Sequence, residues 1–129
     1  GEHDFCYAYT FWDGSFETSG VTAEAGALNI PVHAARGSRP DGSLLCVDDP
    51  CVVVESVKLA EDQSGDMIIR LYESMNGSRS AVLRTAFAPA RAWRCNMLEE
   101  IEEELAVRDG EIALSVRPFE IVTLRLRRT

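Results

Sequence analysis

The stretch Glu111-Ile-Ala-Leu-Ser-Val-Arg-Pro-Phe-Glu-Ile-Val-Thr-Leu-Arg-Leu-Arg127 decides the fold class. Ile112, Leu114 and Val116 alternate with Glu111, Ser115 and Arg117. Val122, Leu124 and Leu126 alternate with Thr123, Arg125 and Arg127. A period of two sends successive side chains to opposite faces of a strand. Each run therefore predicts a strand with one buried and one wet face, the pattern of an antiparallel sheet lying on a core. On this reading a carboxylate at Leu124 is severe and one at Thr123 is mild.

The rest of the C-terminal two thirds reads the same way. Strands are expected over 44–47, 52–59, 67–73, 81–87, 93–98, 111–116 and 119–127. Turn residues separate them at Asp49-Pro50, Ser64-Gly65-Asp66, Asn76-Gly77-Ser78, Ala88-Pro89 and Asp109-Gly110. Seven short strands at this spacing make the chain mainly β, an antiparallel β-sandwich with one short helix in an N-terminal arm. Glu99 to Leu105 breaks the pattern and is expected as a polar loop or a single helical turn.

The arm is residues 1–35. Residues 4–12 are aromatic and β-prone, which predicts a strand. Phe5, Tyr7, Tyr9 and Phe11 fall on one of its faces and Cys6, Ala8 and Trp12 on the other. Two apolar faces suit a strand held between layers, so a fragment would leave an aromatic patch exposed or hide it by self-association. Val21, Ala25 and Leu28 share one face of a short helix that Pro31 ends, and 32–35 is expected as a short strand. Residues 36–42, Arg-Gly-Ser-Arg-Pro-Asp-Gly, form a linker, and 43–129 the sandwich.

Composition narrows the function classes. The chain has 129 residues, 46% apolar and 26% charged, enough for a core without staples. Its net charge of −8 disfavours nucleic acid and anionic membranes as partners. No apolar run approaches the roughly 20 residues that span a bilayer. Gly1-Glu2-His3-Asp4 lacks the basic start of a signal peptide. Cys46 and Cys51 flank a turn and could close a hairpin-end disulfide, but four reduced thiols, mostly buried in strands, suit so apolar a chain better.

Catalytic and metal constellations are thin. His3 and His33 do not make a zinc site, which needs several converging ligands. The acidic run Glu99–Glu104 could supply a glycosidase carboxylate pair or calcium ligands, but six consecutive positions of this kind more often make a solvated loop. Tyr7, Tyr9 and Trp12 could stack on sugar rings, although three aromatics in one strand are more often core. Arg70 is expected to pair with a carboxylate such as Glu55 or Glu73 as a structural ion pair.

A resemblance covers almost the whole chain. Val52 to Asp62 and Met67 to Glu73 resemble a "V-K-x-A-E" stretch followed by "R-L-Y-E" in the C-terminal region of family 38 α-mannosidases. Asn96-Met-Leu-Glu99 is similar to that family's "N/D-L-L-E", and Pro118-Phe-Glu-Ile-Val-Thr-Leu124 to its "P-F-E-I-x-T-L". His3-Asp-Phe-Cys-Tyr-Ala8 and Ala27-Leu-Asn-Ile-Pro31 resemble "H-x-F-x-Y-A" and "S-L-N-x-P". The order is that of the family, and the pattern looks closest to its cytosolic and bacterial branch, which implies a cytoplasmic protein. Phe11 and Trp12 stand where the family has Pro-His, so no role of that histidine carries to Trp12.

The resemblance implies a non-catalytic C-terminal β domain of a retaining α-mannosidase acting on terminal α-mannosides and oligosaccharides. The carboxylate nucleophile and a divalent metal, usually zinc, would sit in an N-terminal α/β catalytic domain of the same polypeptide. No cofactor and no catalytic or metal residue is expected in this chain. Domain-interface or cleft-rim residues would be His3, Tyr7, Tyr9, Phe11 and Trp12. The competing reading is a stand-alone carbohydrate-binding or adhesion sandwich.

Overall fold

A computed structural model describes residues 1–30, 34, 36–37 and 42–128. His33, Arg39, most of the short strand expected over 32–35 and most of the linker lie outside the described residues. The chain divides into two compact units, residues 1–39 and 40–129.

In the first unit, residues 1–12 form no regular element, so the strand expected over 4–12 is absent. A strand exists only through a backbone partner, and among the described residues none pairs with this segment. The same-face spacing survives locally: the Phe5 and Tyr7 rings stack at 6.2 Å, and Tyr7 meets Tyr9 edge-on at 5.8 Å. A 3-10 turn, Phe16–Thr18, precedes helix α1, Val21–Asn29. Gly20 caps α1 with φ +66°, a left-handed conformation that suits glycine, and the Val21 N–H donates to Ser19 Oγ at 3.2 Å. The helix falls where the spacing of Val21, Ala25 and Leu28 puts it, yet it buries no side chain.

The second unit is the sandwich. Its strands are β1 (Leu45–Val47), β2 (Val52–Leu59), β3 (Met67–Glu73), β4 (Arg79–Thr85), β5 (Pro89–Cys95), β6 (Ile101–Leu105), β7 (Val107–Arg108), β8 (Glu111–Val116) and β9 (Ile121–Arg128). One sheet has the order β1-β4-β8-β7 and the other β2-β3-β9-β5-β6, antiparallel throughout. Ala81, Leu83, Ile112, Leu114 and Val116 from the first sheet meet Ile69, Leu71, Val122, Leu124 and Leu126 from the second in one core. Burying each large aliphatic side chain contributes about 1.5–3 kcal/mol. Asp109 and Gly110 join β7 to β8 with φ +52° and +79°, the signs a type I′ turn demands.

Three expectations are corrected here. Residues 101–105 form β6, a strand rather than a polar loop or helical turn. An edge strand needs one partner only, and acidic side chains on an edge block further pairing. β6 takes β5 as that partner, with Arg91 gripping Glu104 at 3.0 and 2.9 Å. Next, β5 ends at Cys95 instead of 98, because Asn96 Oδ1 accepts the Leu98 and Glu100 N–H groups and turns the chain.

The third correction concerns β9. Its second face is not wet: Thr123 is 2% exposed and Arg125 8%. β9 is the middle strand of five, and loops close over its outer side. Thr123 Oγ1 lies 3.9 Å from Met97 Sδ, and Arg125 donates to Asp66 and Asp62 at 2.7 Å each and to Ser64 at 2.9 Å. β8 does keep the expected alternation of exposed and buried positions.

Candidate functional site

Among the described residues no group of three or more His, Cys, Asp or Glu side chains is placed to hold a metal. The acidic run is spent on structure. Glu99, at φ +68°, is buried and accepts the Glu61 N–H at 2.9 Å while its other oxygen meets Lys58 Nζ at 2.6 Å. The Lys58 bond first, then the Glu61 N–H, hold its carboxyl below the usual range. Glu100 takes the Asn96 amide at 2.7 Å, and Glu104 belongs to Arg91. All four cysteines are free. Cys51 and Cys95 are buried, but Cys6 and Cys46 are exposed, so burial in strands holds for only part of the set.

The residues singled out in the arm, His3, Tyr7, Tyr9, Phe11 and Trp12, are all exposed, Phe11 most of all at 93%. Trp12 meets Phe16 edge-on at 6.3 Å. These side chains form a discontinuous aromatic surface.

The sandwich carries two polar constellations on its five-stranded sheet. In the first, Trp93 is buried beneath two guanidinium groups, Arg91 at 4.8 Å and Arg127 at 5.1 Å from the ring centre. Arg127 grips Asp66 at 3.0 and 2.9 Å, and Asp66 also holds Arg125. The Arg127 bond draws the Asp66 carboxyl down; burial opposes it, and the Arg125 bond adds to the lowering. In the second, Glu73 is fully buried at the end of β3. Burial alone would raise its carboxyl, but the N–H groups of Phe119, Met75, Gly77 and Asn76 outweigh that and lower it. Both constellations serve the fold.

Arg70 does not pair with Glu55 or Glu73 as expected. Its Nη2 donates to the Met97 carbonyl at 3.0 Å. It lies instead in a concavity of about 770 Å³ on the outer side of the same sheet, with Ser56, Tyr72, Met97, Phe119 and Ile121 around it and the exposed Glu55 at its edge. Registers Ser56↔Arg70↔Thr123 and Tyr72↔Ile121 put these positions on one face. Sequence reasoning gave Phe119 and Ile121 to a strand and missed this surface. The available signal was Pro118-Phe119-Glu120, an aromatic between a turn former and an acid.

The family model described as Glycosyl hydrolases family 38 C-terminal beta sandwich domain matches residues 51–124. Similar proteins include Alpha-mannosidase 2C1 of Mus musculus, 34% identical over 134 residues, which cover 98% of this chain and 13% of that protein. The Homo sapiens Alpha-mannosidase 2C1 is 33% identical with the same coverages. Alpha-mannosidase G of Dictyostelium discoideum is 26% identical over 135 residues, covering 97% of this chain and 12% of that protein. The chain thus spans about one eighth of the length of these relatives, and the likeness takes in the arm as well as the sandwich.

Proposed function

We infer a function from one premise: the chain belongs to the glycosyl hydrolases family 38 C-terminal beta sandwich domain family. It is the non-catalytic C-terminal β domain of a longer α-mannosidase that hydrolyses terminal α-mannosides, and it packs on and supports a catalytic domain elsewhere in the same polypeptide. One observation carries this reading: the likeness to α-mannosidases runs over 98% of this chain but only 13% of theirs. The divalent metal, zinc by family resemblance, would belong to the catalytic domain. Among the described residues no helix is long and apolar enough to cross a membrane. Four free thiols accord with a reducing compartment, which supports the cytoplasm as the place of action.

The arm residues His3, Tyr7, Tyr9, Phe11 and Trp12 serve in this reading as domain-interface or cleft-rim contacts. Residues 43–129 form the stable unit, so trypsin should cut first at Arg36 or Arg39. The exposed aromatic arm also predisposes the isolated chain to self-association, with dimers expected that shrink when residues 1–42 are removed.

The test compares the full-length parent with the 129-residue chain on an aryl α-mannoside, both supplied with zinc. The parent should turn over and the chain alone should not. An inert parent, together with tight mannoside binding by the isolated chain, would replace this reading with a stand-alone carbohydrate-binding sandwich.

A further inference from the structure

The two outer faces of the sandwich differ in chemistry. On the four-stranded sheet, Ser80, Val82, Arg84, Glu111, Ala113 and Ser115 point outward. Arg84 bridges to Glu111 at 2.8 Å and to Asp48 at 4.0 Å. Small and charge-paired, this is a surface made for water. The five-stranded sheet presents the groove around Arg70. There Phe119, Ile121 and Met97 are 62%, 60% and 55% exposed, with Leu98 beside Met97 more exposed still. Contiguous apolar side chains of this size mark a surface that something covers.

Two further details belong to the groove. Phe119 is held at φ +56°, a left-handed conformation unfavourable for an aromatic residue. The Arg70 Nε is buried and, among the described residues, has no hydrogen-bond partner. That N–H is covered and out of reach, but the guanidinium keeps a positive charge at the groove, where it already acts on the Glu99 carboxyl, and an incoming carboxylate would meet that charge.

The geometry points to an interface: the groove between Tyr72, Met97, Phe119 and Ile121 seats an apolar segment bearing a carboxylate that meets Arg70, supplied by the remainder of the longer parent polypeptide. The length outside this chain argues for that occupant. At 13% of its relatives' length, the domain has about seven times its own length of polypeptide available to cover the groove. The inference rests on the reading that the chain is one part of a longer enzyme, and it adds which face turns inward and what chemistry meets it.

Methionine oxidation by dilute hydrogen peroxide, read residue by residue by mass spectrometry, tests it. Met97 is exposed and Met75 is buried, so the two report groove and core separately. In the isolated 129-residue chain Met97 should oxidise fast and Met75 slowly. In the full-length parent Met97 should slow at least about tenfold, with Met75 unchanged. In the parent carrying Phe119→Ser and Ile121→Ser, fast Met97 oxidation should return.

Equal Met97 rates in chain and parent would overturn the inference. Protection in the isolated chain that grows with concentration would assign the groove to a second copy. Faster oxidation on deleting residues 1–42 would assign it to the arm. Either result also overturns the inference. Mannosidase activity of the same parent preparation is read in parallel. An active parent with unprotected Met97 sinks the groove alone, and an inactive parent with protected Met97 sinks the mannosidase reading and leaves the interface standing.

Discussion

The Glu73 carboxylate accepts the backbone N–H of Phe119 at 3.0 Å, across 46 residues of sequence. Its other oxygen takes the Met75 N–H at 2.9 Å. One buried carboxylate therefore ties the turn after β3 to the turn before β9, and it pins Phe119 in the conformation that projects its ring outward.

Glu73→Gln should cost about 2–3 kcal/mol, because an amide NH₂ then faces N–H donors and leaves one of them unsatisfied in a buried site. Urea denaturation of the isolated chain measures it. A loss below about 0.5 kcal/mol would mean that the two turns hold without the carboxylate.

Phe119→Gly should leave the isolated chain as stable as before or stabler by up to about 1 kcal/mol, since glycine adopts positive φ freely and the lost ring is mostly exposed. A thermal melt reads this directly. A large destabilisation would show that the ring works in the fold of the sandwich itself.

Leu124→Asp and Thr123→Asp should both be severe, each losing several kcal/mol. Leu124 lies in the core between the sheets, and Thr123 lies beneath Met97 on the covered outer side. Equilibrium unfolding compares the two. A mild Thr123→Asp would mean either that the loop over β9 opens readily or that Arg70, directly opposite, takes up the new carboxylate.

Acid should unfold the sandwich from a plateau that begins near pH 5. Asp66, Glu73 and Glu99 all have carboxyls held below their ordinary values in the folded state. The unfolded chain, with ordinary carboxyls near about 4, binds more protons in that range, so stability is complete above it and falls as pH drops. Urea midpoints between pH 3 and 8 should follow this course, and Glu99→Gln should flatten the decline. A midpoint that rises on acidification would contradict the sign.

Strands whose two faces differ in polarity were legible from sequence: the spans 52–59, 67–73 and 111–116 coincide with β2, β3 and β8. β6 was hidden because Ile101-Glu-Glu-Glu-Leu105 has no apolar alternation; what makes it a strand is β5 alongside and Arg91 across from Glu104. The buried outer side of β9 was hidden because Thr123 and Arg125 are polar and their cover comes from loops distant in sequence. Residues 4–12 mislead in the opposite sense, since their β-propensity names a partner that the described residues do not include. The groove was illegible for a related reason: Arg70, Met97 and Phe119 come from three separate segments and meet only because β9 pairs with β3 on one side and β5 on the other.

The placement of Trp93 beneath Arg91 and Arg127 has an optical consequence. The chain has two tryptophans, and the other, Trp12, lies in residues 1–39. Each compact unit thus carries its own intrinsic fluorophore, one buried under guanidinium groups and one partly exposed. Emission from Trp93 should lie to the blue of Trp12 and resist collisional quenching by iodide until the sandwich melts. Single Trp→Phe replacements would then let the arm and the sandwich be watched independently in one unlabelled protein.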